Sequence, residues 1–227
     1  MKHHITFIKR IFSLCSAAFI LGALPLTASS TEPKSDNLLS ALQLPPDPKI
    51  LESFETVYES TRAIQTEADS GANAAVVRKL QVKHVGENRL LARIEFDQKP
   101  QTEGRKFLLY LDTDNNSETG RTGTPPAQGI DLMVILSGID ENIMLYNPAL
   151  SPETTKSRAV FVDKVLYITV ETPLPKGDGP IPLRGWILSQ RVEPVQSDSS
   201  QSSSNFTLPR HTLPVPPLTQ EKSATQL

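Results

Sequence analysis

The sequence predicts a mainly β fold: an antiparallel β-sandwich, jelly-roll or immunoglobulin-like, with a short N-terminal helical segment. Three observations predict it. Short runs of alternating apolar and polar residues succeed one another from Val76 to Ser189, Gly, Pro, Asn or Asp bounds each of them, and no helical periodicity interrupts the series.

The elements follow in order. Lys2, Lys9 and Arg10 precede an apolar run from Ile11 to Leu26, and Ala28 and Ser30 fit a signal-peptidase site before Thr31. Residues 1–30 are read as a secretory signal. An uncleaved anchor is the rival reading, but the run holds 16 residues, against the roughly 20 that a spanning helix needs. Lipidation at Cys15 is disfavoured by the bulk of Leu14 before it.

Residues 31–67 are read as a linker and helical segment. Asn37 to Gln43 suits one or two helical turns before Pro45-Pro46. Asp47 resembles an N-cap with Pro48 at the first helical position. Ile50, Phe54, Val57 or Tyr58, Thr61 and Ile64 then recur at helical spacing. A strand over Phe54 to Tyr58 is the alternative; the helix is preferred.

The sandwich is expected over residues 68–193. Leu80 and Val82 alternate with Lys79, Gln81 and Lys83; after a Gly86-Glu87-Asn88 turn, Leu90, Ala92, Ile94 and Phe96 alternate with Leu91, Arg93 and Glu95. That pattern is a hairpin with one wet face. Further strands are read at Lys106 to Leu111, Asp131 to Leu136, Asn142 to Tyr146, Ala159 to Val162, Val165 to Val170 and Trp186 to Ser189. Leu80, Val82, Leu90, Ile94, Phe96, Phe107, Leu109, Leu111, Leu166, Ile168 and Val170 are the expected inward set.

Residues 194–227 hold seven Ser and five Pro among 34, a composition too poor in apolar surface to offset its ordering entropy, so a disordered tail is expected. Its Leu213-Pro214-Val215-Pro216-Pro217 piece favours polyproline II, as linker or as docking ligand.

Charge and chemistry narrow the function. Without the leader the chain carries 20 basic and 25 acidic residues, a net charge of −5, which speaks against nucleic acid or an anionic membrane as partner. Beyond Cys15 there is no cysteine, and only His84 and His211 remain as histidines, so disulfides, thiolate catalysis and His/Cys zinc sites drop out. His84 ends a strand, His211 lies in the tail, and Glu95 and Glu171 look like solvated strand faces. No phosphate cradle or nucleophile elbow appears, and a non-catalytic role is expected.

One loop could carry a cation. Asp112, Asp114, Asn116 and Glu118 stand at alternate positions after a strand, and Asp131 opens the next, which would return it to the same end of the sheet. Oxygens so spaced on a curling chain can converge on calcium. Ser117 and Gly123 stand where a helix-loop-helix calcium site has Gly and Glu, so this is not an EF-hand. Turn-forming by the same short side chains is the competing reading, and the only nearby cation in sequence is Arg121.

The run Arg78-Lys79-Leu80-Gln81-Val82, the run Leu90 to Phe96, Tyr110-Leu111-Asp112-Thr113-Asp114-Asn115-Asn116 to Thr119-Gly120, Gly129-Ile130-Asp131, and Tyr167 to Glu171 together resemble the family 9 carbohydrate-binding and DOMON-like sandwich domains of exported bacterial proteins. The resemblance covers residues 68–189. It implies a secreted module whose loop can hold calcium and whose sheet or rim binds sugars or haem. Met133, Met144, His84 and His211 form no recognisable axial pair for haem. For sugars, Tyr110, Tyr146, Tyr167 and Trp186 are the candidate stacking rings, since pyranose faces pack on flat aromatics while polar neighbours take the hydroxyls. A core role for the single tryptophan competes. The expectation is thus a periplasmic or extracellular binding module for carbohydrate or envelope glycan, with a calcium loop. The alternative is a structural or protein-interaction subunit of the envelope.

Overall fold

The computed structural model describes residues 35–59, 76–86, 88–124, 127–138, 140–191, 196–199, 204–208 and 225–226. The leader, the linker 60–75 and most of the Ser/Pro-rich tail therefore lie outside the described residues. The described residues contain no helix long and apolar enough to cross a membrane.

Two antiparallel sheets pack face to face, as the alternating runs predict. The strands are β1 (Glu55–Glu59), β2 (Val77–His84), β3 (Arg89–Phe96), β4 (Arg105–Asp112), β5 (Leu132–Ser137), β6 (Asp140–Leu145), β7 (Lys156–Val162), β8 (Val165–Glu171), β9 (Ile181–Arg191), β10 (Gln196–Ser199), β11 (Ser204–Leu208) and β12 (Thr225–Gln226). The first sheet runs β1-β2-β3-β8-β7-β12. The second runs β10-β9-β4-β5-β6, and β11 also pairs with β9. Among the described strands only β12 runs parallel to its neighbour.

Period-two alternation puts one side of the strands from β2 to β9 into a common core. Leu80, Val82, Leu90, Ile94 and Phe96 of the first sheet meet Phe107, Leu109, Leu111, Leu132 and Val134 of the second, together with Leu166, Ile168 and Val170. Phe107 stands between Phe96 and Phe161, its centroid 5.4 and 5.5 Å from theirs, both edge-on. The whole expected inward set lies in this core.

The N-terminal segment departs from expectation after its first helix. Helix α1 (Ser35–Ala41) forms where Asn37 to Gln43 suggested it. Asp47 does cap the next turn, accepting from the Lys49 amide at 3.0 Å, but that turn is a 3₁₀ helix of four residues, Pro48–Leu51. The helix expected to continue through Phe54 and Tyr58 is instead β1, paired with β2. Ser53 takes a left-handed φ of 55°, and the following Thr56-Val57-Tyr58 favours a strand that can satisfy its backbone on the open edge of β2. Thr61 and Ile64 lie outside the described residues.

Helix α1 and the 3₁₀ turn cover the outer face of the first sheet, so the hairpin's second face is not wet throughout. Leu38, Leu39, Leu42, Leu44 and Ile50 form a second apolar cluster with Val85, Leu91 and Val160. Polar side chains of the sheet hold the segment by its carbonyls. The Lys83 ammonium donates to the carbonyls of Lys49 (2.9 Å) and Glu52 (2.7 Å), and buried Arg89 donates to the Gln43 carbonyl while pairing with Glu171. Glu171 is therefore an ion-pair partner rather than a solvated face; Glu95 pairs with Arg93 and Lys164.

Candidate functional site

The second sheet turns three consecutive rungs outward. Phe107, Leu109 and Leu111 point into the core, so Leu108, Tyr110 and Asp112 face away from it. Across the strands, Leu188, Leu108 and Ile135 are partners in one rung; Trp186, Tyr110, Met133 and Met144 in the next; Arg184 and Asp112 in the last. The Tyr110 and Trp186 rings stack at 4.6 Å with 12° between their planes. Trp186 is buried at 7% exposure, and Tyr110 and Tyr146 are half-buried. The Arg121 guanidinium lies 5.5 Å over the Tyr146 ring, and both Arg121 and Tyr146 act electrostatically on Tyr110, whose hydroxyl is pushed up first of all by burial.

Of the four candidate rings, three gather here. Tyr167 does not: it faces outward from the first sheet and packs beneath the N-terminal segment. Met133 and Met144, which form no recognisable pair in the sequence, are direct cross-strand partners, with the Tyr146 hydroxyl 4.0 Å from the Met144 sulfur.

At the rim of the same sheet, Asp112, Asp114 and Asp131 each present a carboxylate oxygen within 4.8 Å of the others. Asp131 returns beside Asp112 because β4 and β5 pair antiparallel, and its amide donates to the Leu111 carbonyl at 2.9 Å. The Asp131 carboxylate accepts from the Thr113 amide and hydroxyl, each at 2.7 Å, and from Asn147 at 2.8 Å. It thus ties the β4–β5 loop to the chain leaving β6.

Glu118 lies outside this carboxylate group, and both it and Asn116 are exposed. The alternate spacing that suggested converging ligands is spent on a ladder of turns. Asp112 accepts from the Asp114 amide, Asp114 from the Asn116 amide and Asn116 from the Glu118 amide, at 3.3, 2.9 and 3.0 Å. Asn115, at φ 52°, supplies the left-handed residue that such a curl needs. Of the five candidate ligands, the carboxylates of Asp112, Asp114 and Asp131 are the ones brought together.

The counter-charge at the rim is Arg184 rather than Arg121. Its guanidinium reaches Asp112 at 2.9 Å and also donates to the Gln128 carbonyl. The Asp112 oxygen that it faces has no aligned hydrogen bond, so the contact is an ion pair and not a well-directed bond. Burial, then the hydrogen bond with Asp114 and the charge of Asp131, push the Asp112 carboxyl up to about 6, and Arg184 offsets only part of this. Nothing local in the sequence announced Arg184; its alternation with Trp186 and Leu188 was the available signal, and the register of β9 was needed to use it.

Two ligands on opposite sides of a calcium ion stand about 5 Å apart, so the spacing of the three carboxylates fits that ion. The fit is for a partly neutralised site, because Arg184 already contributes one positive charge. Comparison with protein-family models and with curated proteins returns no match.

Proposed function

We propose that this chain is an exported, non-catalytic β-sandwich binding module, of the carbohydrate-binding and DOMON-like kind that its loop motif resembles, which takes a carbohydrate or envelope glycan on the outer face of its second sheet. The observation that carries the reading is the ring cluster on the outward side of the second sheet, where half-buried Tyr110 stacks on Trp186 and half-buried Tyr146 lies under the exposed Arg121. Flat rings beside an exposed donor are what a sugar needs, its apolar face taking the ring and its hydroxyls the polar edge. Calcium, held by Asp112, Asp114 and Asp131, would cancel their mutual repulsion and brace the loop that borders this face.

The test is a glycan-binding screen on the full chain read through Trp186, the only tryptophan. A bound glycan is expected to shift its emission, and Tyr110→Ala and Tyr146→Ala are each expected to weaken binding about tenfold, the loss of one stacking partner. Absence of any glycan ligand would remove the reading. One observation favours the second reading, a protein-interaction subunit: the rung of Leu188, Leu108 and Ile135 extends the face with apolar side chains that a sugar has no use for. In that case Ile135→Asp abolishes association with an envelope protein while the ring variants leave it unchanged.

A further inference from the structure

We propose that the glycan carries a carboxylate, a uronate sugar, and that Arg121 is the residue that selects it; this rests on the carbohydrate reading above and names its substrate class. Arg121 is exposed at the edge of the ring cluster. Its backbone is fixed on both sides, since its amide donates to the Ile130 carbonyl at 2.7 Å and its carbonyl accepts from the Gly129 amide at 2.8 Å. The guanidinium rests over the Tyr146 ring, and its field reaches Tyr110. The other arginine of the rim is committed to Asp112 and the Gln128 carbonyl. Among the described residues Arg121 is accordingly the cation at the edge of the ring cluster that no carboxylate holds; Lys106, also on the outward side of β4, stands beyond the Leu108 rung.

A guanidinium carries its N–H donors as a rigid planar fork, and one near a ring face is held there by the ring's quadrupole. The equatorial carboxylate of a uronate lies close to the mean plane of its pyranose. When the sugar face stacks on a tyrosine, that carboxylate extends past the edge of the ring toward a neighbouring donor. A planar fork takes a carboxylate through two parallel bonds, whereas a neutral sugar offers only hydroxyls and leaves the charge unmatched. The net charge of −5 left after the leader works at long range against any polyanion, so the selectivity has to come from the short-range contact at Arg121.

The experiment titrates the full chain with oligogalacturonate, its fully methyl-esterified form and a neutral galactan oligomer, with and without chelator. Esterification removes the charge and keeps the sugar. Acid is expected to bind about ten- to hundredfold more tightly than ester, the range of a hydrogen-bonded charge, with or without chelator. Arg121→Gln should bring acid down to the ester's affinity without moving the melting temperature, and Arg121→Lys should fall between. Equal binding of acid and ester overturns the inference and leaves the carbohydrate reading standing. A preference for acid that survives Arg121→Gln, or that chelator abolishes, also overturns it, because Lys106 in the first case and a bridging cation in the second would then carry the selectivity. Failure of all three ligands together with every neutral glycan of the screen removes both.

Discussion

Burial raises the proton affinity of Asp112 and Arg184 lowers it, with burial dominant: the carboxyl stands at about 6 against an ordinary 3.8. A carboxyl raised on folding favours the folded state fully below the unfolded value, and that contribution is lost as pH rises through the folded value. In chelator the melting midpoint is therefore expected to fall between about pH 4 and about pH 6, and Asp112→Asn to flatten that fall. Calcium should restore the midpoint above pH 6 by binding the ionised form, and Asp114→Ala should abolish the restoration. A midpoint indifferent to chelator in both proteins would remove the metal from this loop. The identities of the acids were plain in the sequence. Which of them stay together was not, because nearby backbone amides compete for such short side chains, as the Glu118 amide does for the Asn116 oxygen.

The β4–β5 loop closes on glycines that the motif displays but does not explain. Gly120 has a φ of 70°, and a Cβ there would stand 2.3 Å from the Ile130 carbonyl oxygen; a Cβ at Gly129 would stand 2.7 Å from the Arg184 guanidinium. Gly120→Ala is expected to lower stability by about 2–3 kcal/mol or more, combining left-handed strain with a backbone collision. Gly104, with a similar φ of 67° but open space around it, should cost only about 1–2 kcal/mol as Ala. Equal losses in denaturant titrations of the two variants would show that the close approach to Ile130 is immaterial. At the level of elements, the strands from β2 to β8 were legible as alternation bounded by turn residues, and β9 only over Trp186 to Ser189, short of Arg184. Strand β1 was not, because Ile50, Phe54 and Tyr58 satisfy helical spacing as well as they satisfy a strand. The open edge of β2 settled the matter by offering the backbone hydrogen bonds.

The molecule treats its two outer faces differently. Helix α1 and the 3₁₀ turn both pack on the first sheet, where Leu39 and Leu91 are fully buried. No described helix packs on the second sheet, where Met144 is 45% exposed. Leu39→Ala is accordingly expected to cost about 2–5 kcal/mol, the penalty of a cavity in packed surroundings. Ile135→Ala, on the half-buried outer face of the second sheet, should cost about 1 kcal/mol. Thermal or denaturant unfolding of the two variants checks this, and a Leu39→Ala loss as small as that of Ile135→Ala would show the N-terminal segment to be an adornment and not part of the fold.

Alternation by itself determined the sandwich, its inward residues and the loop on which attention falls, because a side-chain period of two is a local property that survives without neighbours. What only the tertiary structure decided is which strands lie side by side. Pairing of β4 with β9 brought Arg184 to Asp112 and Trp186 to Tyr110, across more than 70 residues of chain. Packing of α1 on the first sheet took Tyr167 out of contention. Register and layer order depend on contacts remote in sequence, and a short alternating run is compatible with many of them.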